Sequence, residues 1–247
     1  MKNLIIGLLL LLIGCVAKDT TILAYDTDIN NNMMSVIYTV DSKYIYENTK
    51  KVKQDINGRF TSFHIGNGYL VTAAHCVKDE FNVVRTPFGF QSYPIKTYDY
   101  HFYINDKEIE LIGTYSEIAL LYDADIIGWP KVTFGDSDKL KIGDKIFIVG
   151  NSNLEGINVK NGIVSKFKTE IRVLGIGFDK ERNENTIIVS APVNGGDSGG
   201  PVFALMNKTP YLIGLCYSKT TMQGYNLILN SNFIQDSLLK IKPDLYK

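Results

Sequence analysis

Short apolar runs separated by polar and glycine-containing turns fill the chain from about residue 60 onward. The runs are rich in Val, Ile, Tyr and Phe, which pack well on the pleated surface of a sheet. Many short strands, closely spaced turns and little helix indicate an all-β double barrel, with barrels at about 59–130 and 131–228. Strands are predicted at 68–72, 146–150, 162–167, 186–189, 201–204, 211–217 and 227–229, with one or two more at 108–121 and a first strand beginning near 35–38.

A helical spacing replaces this pattern near the C-terminus. Apolar residues recur three to four positions apart over 231–240, which predicts a short C-terminal helix with one apolar face. The residues that define this face are Phe233, Ile234, Leu238 and Leu239.

The first residues have the pattern of an export signal. Lys2 precedes an apolar run at 4–13, which is too short to span a bilayer comfortably as a helix. The run ends in Leu-Ile-Gly-Cys at 12–15, which resembles the bacterial lipobox, so Cys15 is expected to be the lipidated first residue of the mature protein. Lipid on Cys15 would anchor the protein to a membrane of the cell envelope without spanning it. The alternative is an ordinary signal peptide cut near Ala17, which would give a secreted protein.

Composition and charge exclude several kinds of partner. The chain has 26 basic and 26 acidic residues, a formal net charge of zero, and no basic run that would attract nucleic acid. The histidines are His64, His75 and His101, scattered along the chain, so no metal-ligand cluster and no cofactor are expected.

Two separated motifs supply a nucleophile and a base. The first is Thr-Ala-Ala-His-Cys at 72–76, and the second is Asn-Gly-Gly-Asp-Ser-Gly-Gly-Pro at 194–201. Glycines around Ser198 let the backbone turn so that its N–H groups converge beside the hydroxyl, where a carbonyl oxygen gains charge during attack. Serine alone is a weak nucleophile, and His75 is the candidate for accepting its proton.

These motifs resemble those of the trypsin-like (chymotrypsin-fold) serine proteases. Phe-Ile-Val-Gly-Asn at 147–151, followed by Asn-Gly-Ile-Val-Ser at 161–165, looks like the bacterial HtrA-like branch. The resemblance runs from about residue 59 to 239 and implies two six-stranded antiparallel barrels in a protease domain at 59–247. Residues 15–58 are expected to form a tether and N-terminal extension, and too little chain follows for a PDZ domain.

The resemblance implies a serine endopeptidase that acts on protein or peptide substrates through an acyl-enzyme. A catalytically silent lipoprotein with a protease fold, which binds peptides or a partner protein, is the alternative function. The motifs do not indicate the oligomeric state.

The acid that should orient His75 departs from the family pattern. The family places aspartate at the start of an Asp-Ile-Ala-Leu-Leu strand, and this chain has Glu117 before Ile-Ala-Leu-Leu at 118–121. The resemblance therefore implies a Ser-His-Glu triad. Asp123 and Asp125, just past the strand, are alternative acids, although they also fit ordinary turn positions.

The resemblance further assigns the oxyanion hole to the backbone N–H groups of Gly196 and Ser198. Asp197 lies between them, and in trypsin-like zymogens this aspartate pairs with a new N-terminus after cleavage. No activation site is apparent ahead of Arg59, so we expect Asp197 to make local hydrogen bonds and the enzyme to need no proteolytic activation.

The same resemblance predicts the walls of the primary specificity pocket. Pro192 takes the position of trypsin's pocket-floor aspartate, so a preference for lysine or arginine is not expected. The position of Cys216 carries histidine in the glutamate-specific branch, so an apolar or small P1 residue is predicted. Substrate is expected to add as a strand along 217–219. The predicted substrate-binding residues are Pro192, Val193, Asn194, Cys216, Tyr217 and Ser218.

Two further cysteines, Cys76 and Cys216, remain to be placed. Animal relatives bridge the cysteine after the catalytic histidine to an upstream partner, which this chain lacks. Cys76 is therefore predicted to be a small buried apolar residue, and a bridge between Cys76 and Cys216 is left open.

Overall fold

The computed structural model describes residues 27–47, 51–77, 81–86, 89–94, 96–167, 184–219 and 226–247. The predicted signal segment and Cys15 lie outside these residues. No helix within them is long and apolar enough to cross a bilayer.

Strands dominate the described chain and form two closed antiparallel barrels of six strands each, as the sequence predicted. The first barrel has the order β1-β2-β3-β8-β7-β6, and a separate hairpin is made of β4 and β5. Its strands are β1 (Ile37–Glu47), β2 (Lys53–Gly66), β3 (Tyr69–Ala73), β6 (Lys96–Ile104), β7 (Lys107–Tyr115) and β8 (Ile118–Tyr122), and the hairpin strands are β4 (Phe81–Thr86) and β5 (Gly89–Pro94).

The second barrel has the order β10-β11-β14-β13-β12-β9. Closure of each sheet pairs its first strand with its last, which removes the continuous open edges of a flat sheet. Its strands are β9 (Lys145–Gly150), β10 (Asn158–Phe167), β11 (Thr186–Val189), β12 (Pro201–Met206), β13 (Thr209–Lys219) and β14 (Asn226–Asn230).

Three α-helices accompany the barrels within the described ranges, besides short 3₁₀ turns: α1 (Thr27–Met34), α2 (Ala74–Val77) and α3 (Ser231–Ile241). The predicted C-terminal helix is α3, and it begins where the Asn230 side chain accepts the Phe233 N–H at 2.8 Å. Phe233, Ile234 and Leu238 are buried, whereas Leu239 lies at the edge of the apolar face and is 40% exposed.

The first barrel starts upstream of the boundary expected at residue 59. Helix α1, strand β1 and the first part of β2 all lie in the region expected to be a tether and extension. Strand β1 pairs with β2 along its whole length. The first half of β2 is mostly exposed and polar, so it lacks the apolar alternation that reveals a strand in sequence.

An apolar cluster joins the two barrels and fixes where their surfaces meet. It contains Val71 and Leu120 from the first barrel, Phe147 and Leu229 from the second, and Phe233 of α3. Burial of this shared surface is the main source of favourable free energy for docking the barrels. The candidate catalytic residues lie on turns beside this junction.

Candidate active site

His75 lies in the single turn of α2, which follows directly from β3. Strand β3 pairs with β8 so that Ala73 lies opposite Ile118. This register brings the residue before β8 beside the residue after β3. As a result, Glu117 approaches His75, with 3.4 Å between Nδ1 of the imidazole and Oε2 of the carboxylate.

The surroundings of His75 favour its protonated form. Burial by itself lowers the pKa of His75, but the adjacent Cys76 sulfur and then the Glu117 carboxylate raise it by more. The net pKa of His75 lies well above the ordinary value. The His75 side chain keeps 38% exposure and that of Glu117 keeps 17%, so a reactant can reach the ring while its partner is shielded.

Ser198 occupies the glycine-rich turn between β11 and β12. Gly196 and Gly199 have φ angles of +91° and +82°, in the left-handed region that glycine adopts most readily. A Cβ on Gly199 would overlap Thr72 and the backbone of Thr61, so the motif requires glycine there.

Ser198, Gly196 and His75 line one cavity of about 200 Å³. The rest of its wall comes from the first barrel and the residues after His75: Ser42, Tyr44, Gly58, Arg59, Phe60, Cys76, Val77 and Tyr100. Within the described residues the Ser198 hydroxyl makes no hydrogen bond to the His75 ring. Such contacts are often long in unliganded enzymes and tighten when substrate binds.

Two hydrogen bonds fix the peptide groups that precede Ser198. The Gly195 carbonyl accepts the Asn153 N–H at 2.7 Å, and the Gly196 carbonyl accepts the Thr61 hydroxyl at 2.6 Å. In a trans peptide the C=O and the following N–H point in opposite directions, so the Gly196 N–H points away from Asn153. Among the described residues the N–H groups of Gly196 and Ser198 have no acceptor, which leaves both able to bind an oxyanion.

Thr61 of β2 links the turn around Ser198 to both barrels. Its N–H donates to the Ser198 carbonyl at 3.3 Å, and its own carbonyl accepts the Thr72 hydroxyl at 2.8 Å. Its hydroxyl oxygen accepts the Asn151 N–H at 3.0 Å. One threonine thus ties β2 and β3 of the first barrel to the turn and to the segment after β9.

Asp197 makes the local hydrogen bond that the sequence predicted, but also has partners that it did not indicate. Its fully buried carboxylate accepts the Asn194 N–H at 2.7 Å and the Ser152 hydroxyl at 2.8 Å. It also forms an ion pair with Lys160. Neither Lys160 nor Ser152 carries a recognisable signal in the sequence, because an isolated lysine or serine on a strand or turn is usually solvated.

The predicted specificity residues divide between surface and core. Pro192 is exposed and Asn194 is half-buried, while Val193 and Cys216 are buried in the second barrel. Tyr217 is buried and its hydroxyl lies 3.2 Å from the Thr186 hydroxyl. Ser218 belongs to β13. The cavity that contains Ser198 and His75 is lined by none of these residues.

The alternative acids have other partners. The Asp123 carboxylate accepts the Asp125 N–H at 3.0 Å and lies 3.1 Å from the Lys107 ammonium. Asp125 pairs with the same lysine at 2.5 Å, and its side chain is 70% exposed. Both aspartates therefore occupy the turn after β8 as charged turn residues paired with Lys107.

Both cysteines in the described residues are free thiols, so no bridge joins Cys76 to Cys216. Cys216 is fully buried, and burial raises the pKa of its thiol, as expected for an unreactive core residue. Cys76 is only partly buried and lines the cavity beside His75, which differs from the buried position predicted for it.

His64 has a structural role, apart from the cavity. It is fully buried, with Nδ1 at 2.8 Å from the Pro130 carbonyl and Nε2 at 3.2 Å from the Gly68 N–H. The donor at Gly68 requires an unprotonated Nε2, so the ring is neutral. The pKa of His64 is lowered, chiefly by burial.

Comparisons with known proteins agree with this geometry. Residues 60–215 match the family model of the trypsin-like peptidase domain. A probable periplasmic serine endoprotease DegP-like of Buchnera aphidicola is 29% identical over 163 residues, which cover 65% of this chain and 30% of that protein. A protein of the same description from Rickettsia conorii is 28% identical over 188 residues, covering 74% of this chain and 35% of that protein.

A solved structure has the same fold. It is the HtrA-type protease AlgW with a decapeptide, which superposes with a TM-score of 0.62 at 17% identity, covering 87% of this chain and 66% of that one. The matched part spans only about a third of the curated relatives named above. Because the family model matches more than half of the chain, the chain belongs to the trypsin-like peptidase domain family, with HtrA-like relatives.

Proposed function

We propose that the protein is a serine endopeptidase that hydrolyses peptide bonds through an acyl-enzyme. The observation that supports this most directly is the cavity shared by Ser198, His75 and Gly196, with Glu117 at 3.4 Å from the far side of the imidazole. A nucleophile, a base, an acid and unpartnered N–H donors are the groups that acyl transfer requires.

The proposed reaction begins when Ser198 Oγ attacks the scissile carbonyl and Nε2 of His75 takes the hydroxyl proton. Glu117 accepts a hydrogen bond from Nδ1, which fixes the tautomer and stabilises the imidazolium. The N–H groups of Gly196 and Ser198 stabilise the oxyanion. His75 then protonates the leaving amine, and a water molecule activated by the same ring hydrolyses the ester.

The substrate is proposed to be a protein or peptide with an apolar or small P1 side chain. Pro192, Val193 and Asn194 offer no carboxylate that would bind lysine or arginine. Strand β12 begins at Pro201, opposite Leu215, so β13 continues beyond its partner strand. The substrate backbone is proposed to add along this continuation of β13 at 217–219.

A fluorophosphonate probe and a casein or peptide digest test the proposal together. The wild type is expected to be labelled once, on Ser198, and to cleave peptides. Ser198→Ala should lose the label and lower kcat by roughly 10⁴-fold or more, with an unchanged circular dichroism spectrum. A folded wild-type protein that is neither labelled nor active would favour the silent peptide-binding lipoprotein instead.

Export to the cell envelope, with a lipid anchor on Cys15, is proposed as the location. The supporting observations are the short apolar run before Cys15 and the description of the relatives as periplasmic. Mass spectrometry of the mature N-terminus tests the anchor. A diacylglyceryl group on Cys15 is expected, and an unmodified N-terminus beyond Cys15 would contradict it.

A further inference from the structure

The carboxylate of Asp197 is fully buried between the two residues that are proposed to bind the oxyanion. An uncompensated charge in such a position is strongly unfavourable, so its partners determine whether the turn can keep this conformation. Two of those partners, Lys160 and Ser152, come from outside the nucleophile turn.

Lys160 is well placed to act as a fixed cation. It lies on β10, where it pairs with Ile148 of β9, and its side chain is only 13% exposed. Its ammonium contacts Oδ2 of Asp197 and donates to the Ser152 hydroxyl oxygen at 2.7 Å. The Ser152 hydroxyl in turn donates to Oδ1 of Asp197, so lysine, serine and aspartate form a closed triangle.

The end of β9 is shaped to admit this carboxylate. A Cβ on Gly150 would lie 2.6 Å from Oδ1 of Asp197, closer than a methyl group can approach. Glycine at this position therefore lets Asp197 pack directly against the strand. Together with the Asn153 N–H on the Gly195 carbonyl, these contacts hold the turn on both sides of Gly196.

We propose that Lys160 is a positioning residue for the oxyanion hole, resting on the proposed endopeptidase function. Its ammonium neutralises Asp197 and holds the turn so that the Gly196 and Ser198 N–H groups point into the cavity. The cation that orders the site is thus part of the barrel wall. The enzyme needs no newly cleaved N-terminus to fill this role.

The central variant is Lys160→Met, which keeps the length of the side chain and removes the charge. Lys166→Met is the matched control, because Lys166 lies on the same strand and is exposed. Lys160→Arg keeps the cation. We expect Lys160→Met to lower kcat by about 10²–10³-fold, as for loss of an oxyanion donor, with little change in KM. Lys160→Arg should recover part of the loss, and Lys166→Met should match the wild type.

Two binding measurements separate positioning from general damage. A peptidyl boronic acid forms a tetrahedral adduct on Ser198 with a hydroxyl in the oxyanion hole, and its affinity should fall with kcat in Lys160→Met. A substrate-derived peptide should bind with the same Kd to Ser198→Ala and to the double variant Ser198→Ala/Lys160→Met. Equal boronate affinity and kcat in wild type and Lys160→Met would overturn the proposal.

Hydrogen exchange of the 194–200 segment gives a readout that does not need activity. Exchange should be faster in Lys160→Met than in Lys166→Met, and equal exchange in the two would overturn the proposal. If Lys160→Met does not fold, Lys160→Met/Asp197→Asn removes both charges, and its kcat should still be at least about tenfold lower; a wild-type kcat there would overturn the proposal.

A last experiment blocks the N-terminus to test whether a free N-terminal amine is needed for activity. Wild-type protein with an N-terminal fusion should keep full kcat, and a requirement for a free N-terminus would contradict the role of Lys160. A wild type that hydrolyses nothing overturns the endopeptidase function itself. An active wild type whose kcat is unaffected by Lys160→Met overturns only the positioning role.

Discussion

The backbone carbonyl of Glu117 accepts a hydrogen bond from the amide of Ala74, with 2.8 Å between nitrogen and oxygen. This bond joins the residue before β8 to the residue before His75. The proposed acid and base are therefore held by adjacent strand ends, and the glutamate side chain only has to span from a fixed backbone to a fixed ring.

Glu117→Gln should lower kcat/KM by about 10⁴-fold, because the amide favours the wrong imidazole tautomer and cannot stabilise the imidazolium. Steady-state kinetics on a cleaved peptide measure the change. Asp125→Asn is the matched control, since its carboxylate is exposed and paired with Lys107. If Glu117→Gln is active and Asp123→Asn or Asp125→Asn is inactive, that aspartate and not Glu117 is the acid that orients His75.

Glu117→Asp should give activity between those of the wild type and Glu117→Gln. The shorter side chain withdraws the carboxylate by about 1.5 Å from a ring nitrogen that already lies 3.4 Å away. The loss should appear in kcat rather than in KM. Activity equal to or above the wild type would mean that glutamate is a strained substitute for aspartate at this position.

The acidic limb of kcat/KM should lie above pH 6.5, the ordinary pKa of histidine. The pKa of His75 is raised by Cys76 and Glu117, and only the neutral ring is a base, so activity is lost as pH falls through that raised pKa. Cys76→Ala removes one of these influences and should move the limb to lower pH. His101→Gln alters an exposed histidine and should leave the pH of the acidic limb unchanged. A wild-type acidic limb at or below pH 6.5 would contradict the assignment of this limb to His75.

Cleavage of a peptide mixture should show no preference for lysine or arginine at P1. The reason is that Pro192 and its neighbours Val193 and Asn194 bring no carboxylate to the predicted pocket. Mass spectrometry of the products identifies the residues before each cut. A dominant basic P1 residue would show that an acidic side chain reaches the pocket from elsewhere, and Pro192→Asp should create such a preference where none existed.

Stability should fall as pH drops below about 6.5 because of His64. Its pKa is lowered in the folded state, so the unfolded chain takes up the proton first and gains up to about 1.4 kcal/mol per pH unit. Urea unfolding at pH 7.5 and 5.5 should show a smaller pH effect in His64→Gln than in the wild type. The comparison between variants cancels His75, whose raised pKa acts in the opposite direction.

Motifs located the candidate site in the sequence because the proposed catalysis demands particular residue types at particular turns. Ser198, His75 and Glu117 could be named in advance, and the structure brings His75 and Glu117 within 3.4 Å. The register of β3 and β8 places Glu117 at the end of the strand pair next to His75, and Asp123 at the opposite end.

Other structural features could not be predicted from the sequence, because no local residue pattern indicates them. The first strand was predicted near 35–38, but the early start of β2 at Lys53 was missed because the first half of that strand is exposed and polar. Lys160 was missed because its significance lies in a long-range contact with Asp197, and nothing local distinguishes it from a solvated lysine. Burial of Val193 and Cys216 in the second barrel likewise depends on how its strands close.

Three of the four hydrogen bonds of Thr61 cross between the barrels, so the proposed catalysis should depend on how the two barrels are docked. Thr61 belongs to the first barrel, whereas the Ser198 and Gly196 carbonyls that it binds belong to the turn of the second. Separation of the barrels by a fraction of a hydrogen-bond length would therefore misalign Ser198, the proposed nucleophile, while every strand remained intact. During gentle denaturation, activity should disappear before the β-sheet signal does, and the interval between the two losses would measure the strength of the junction.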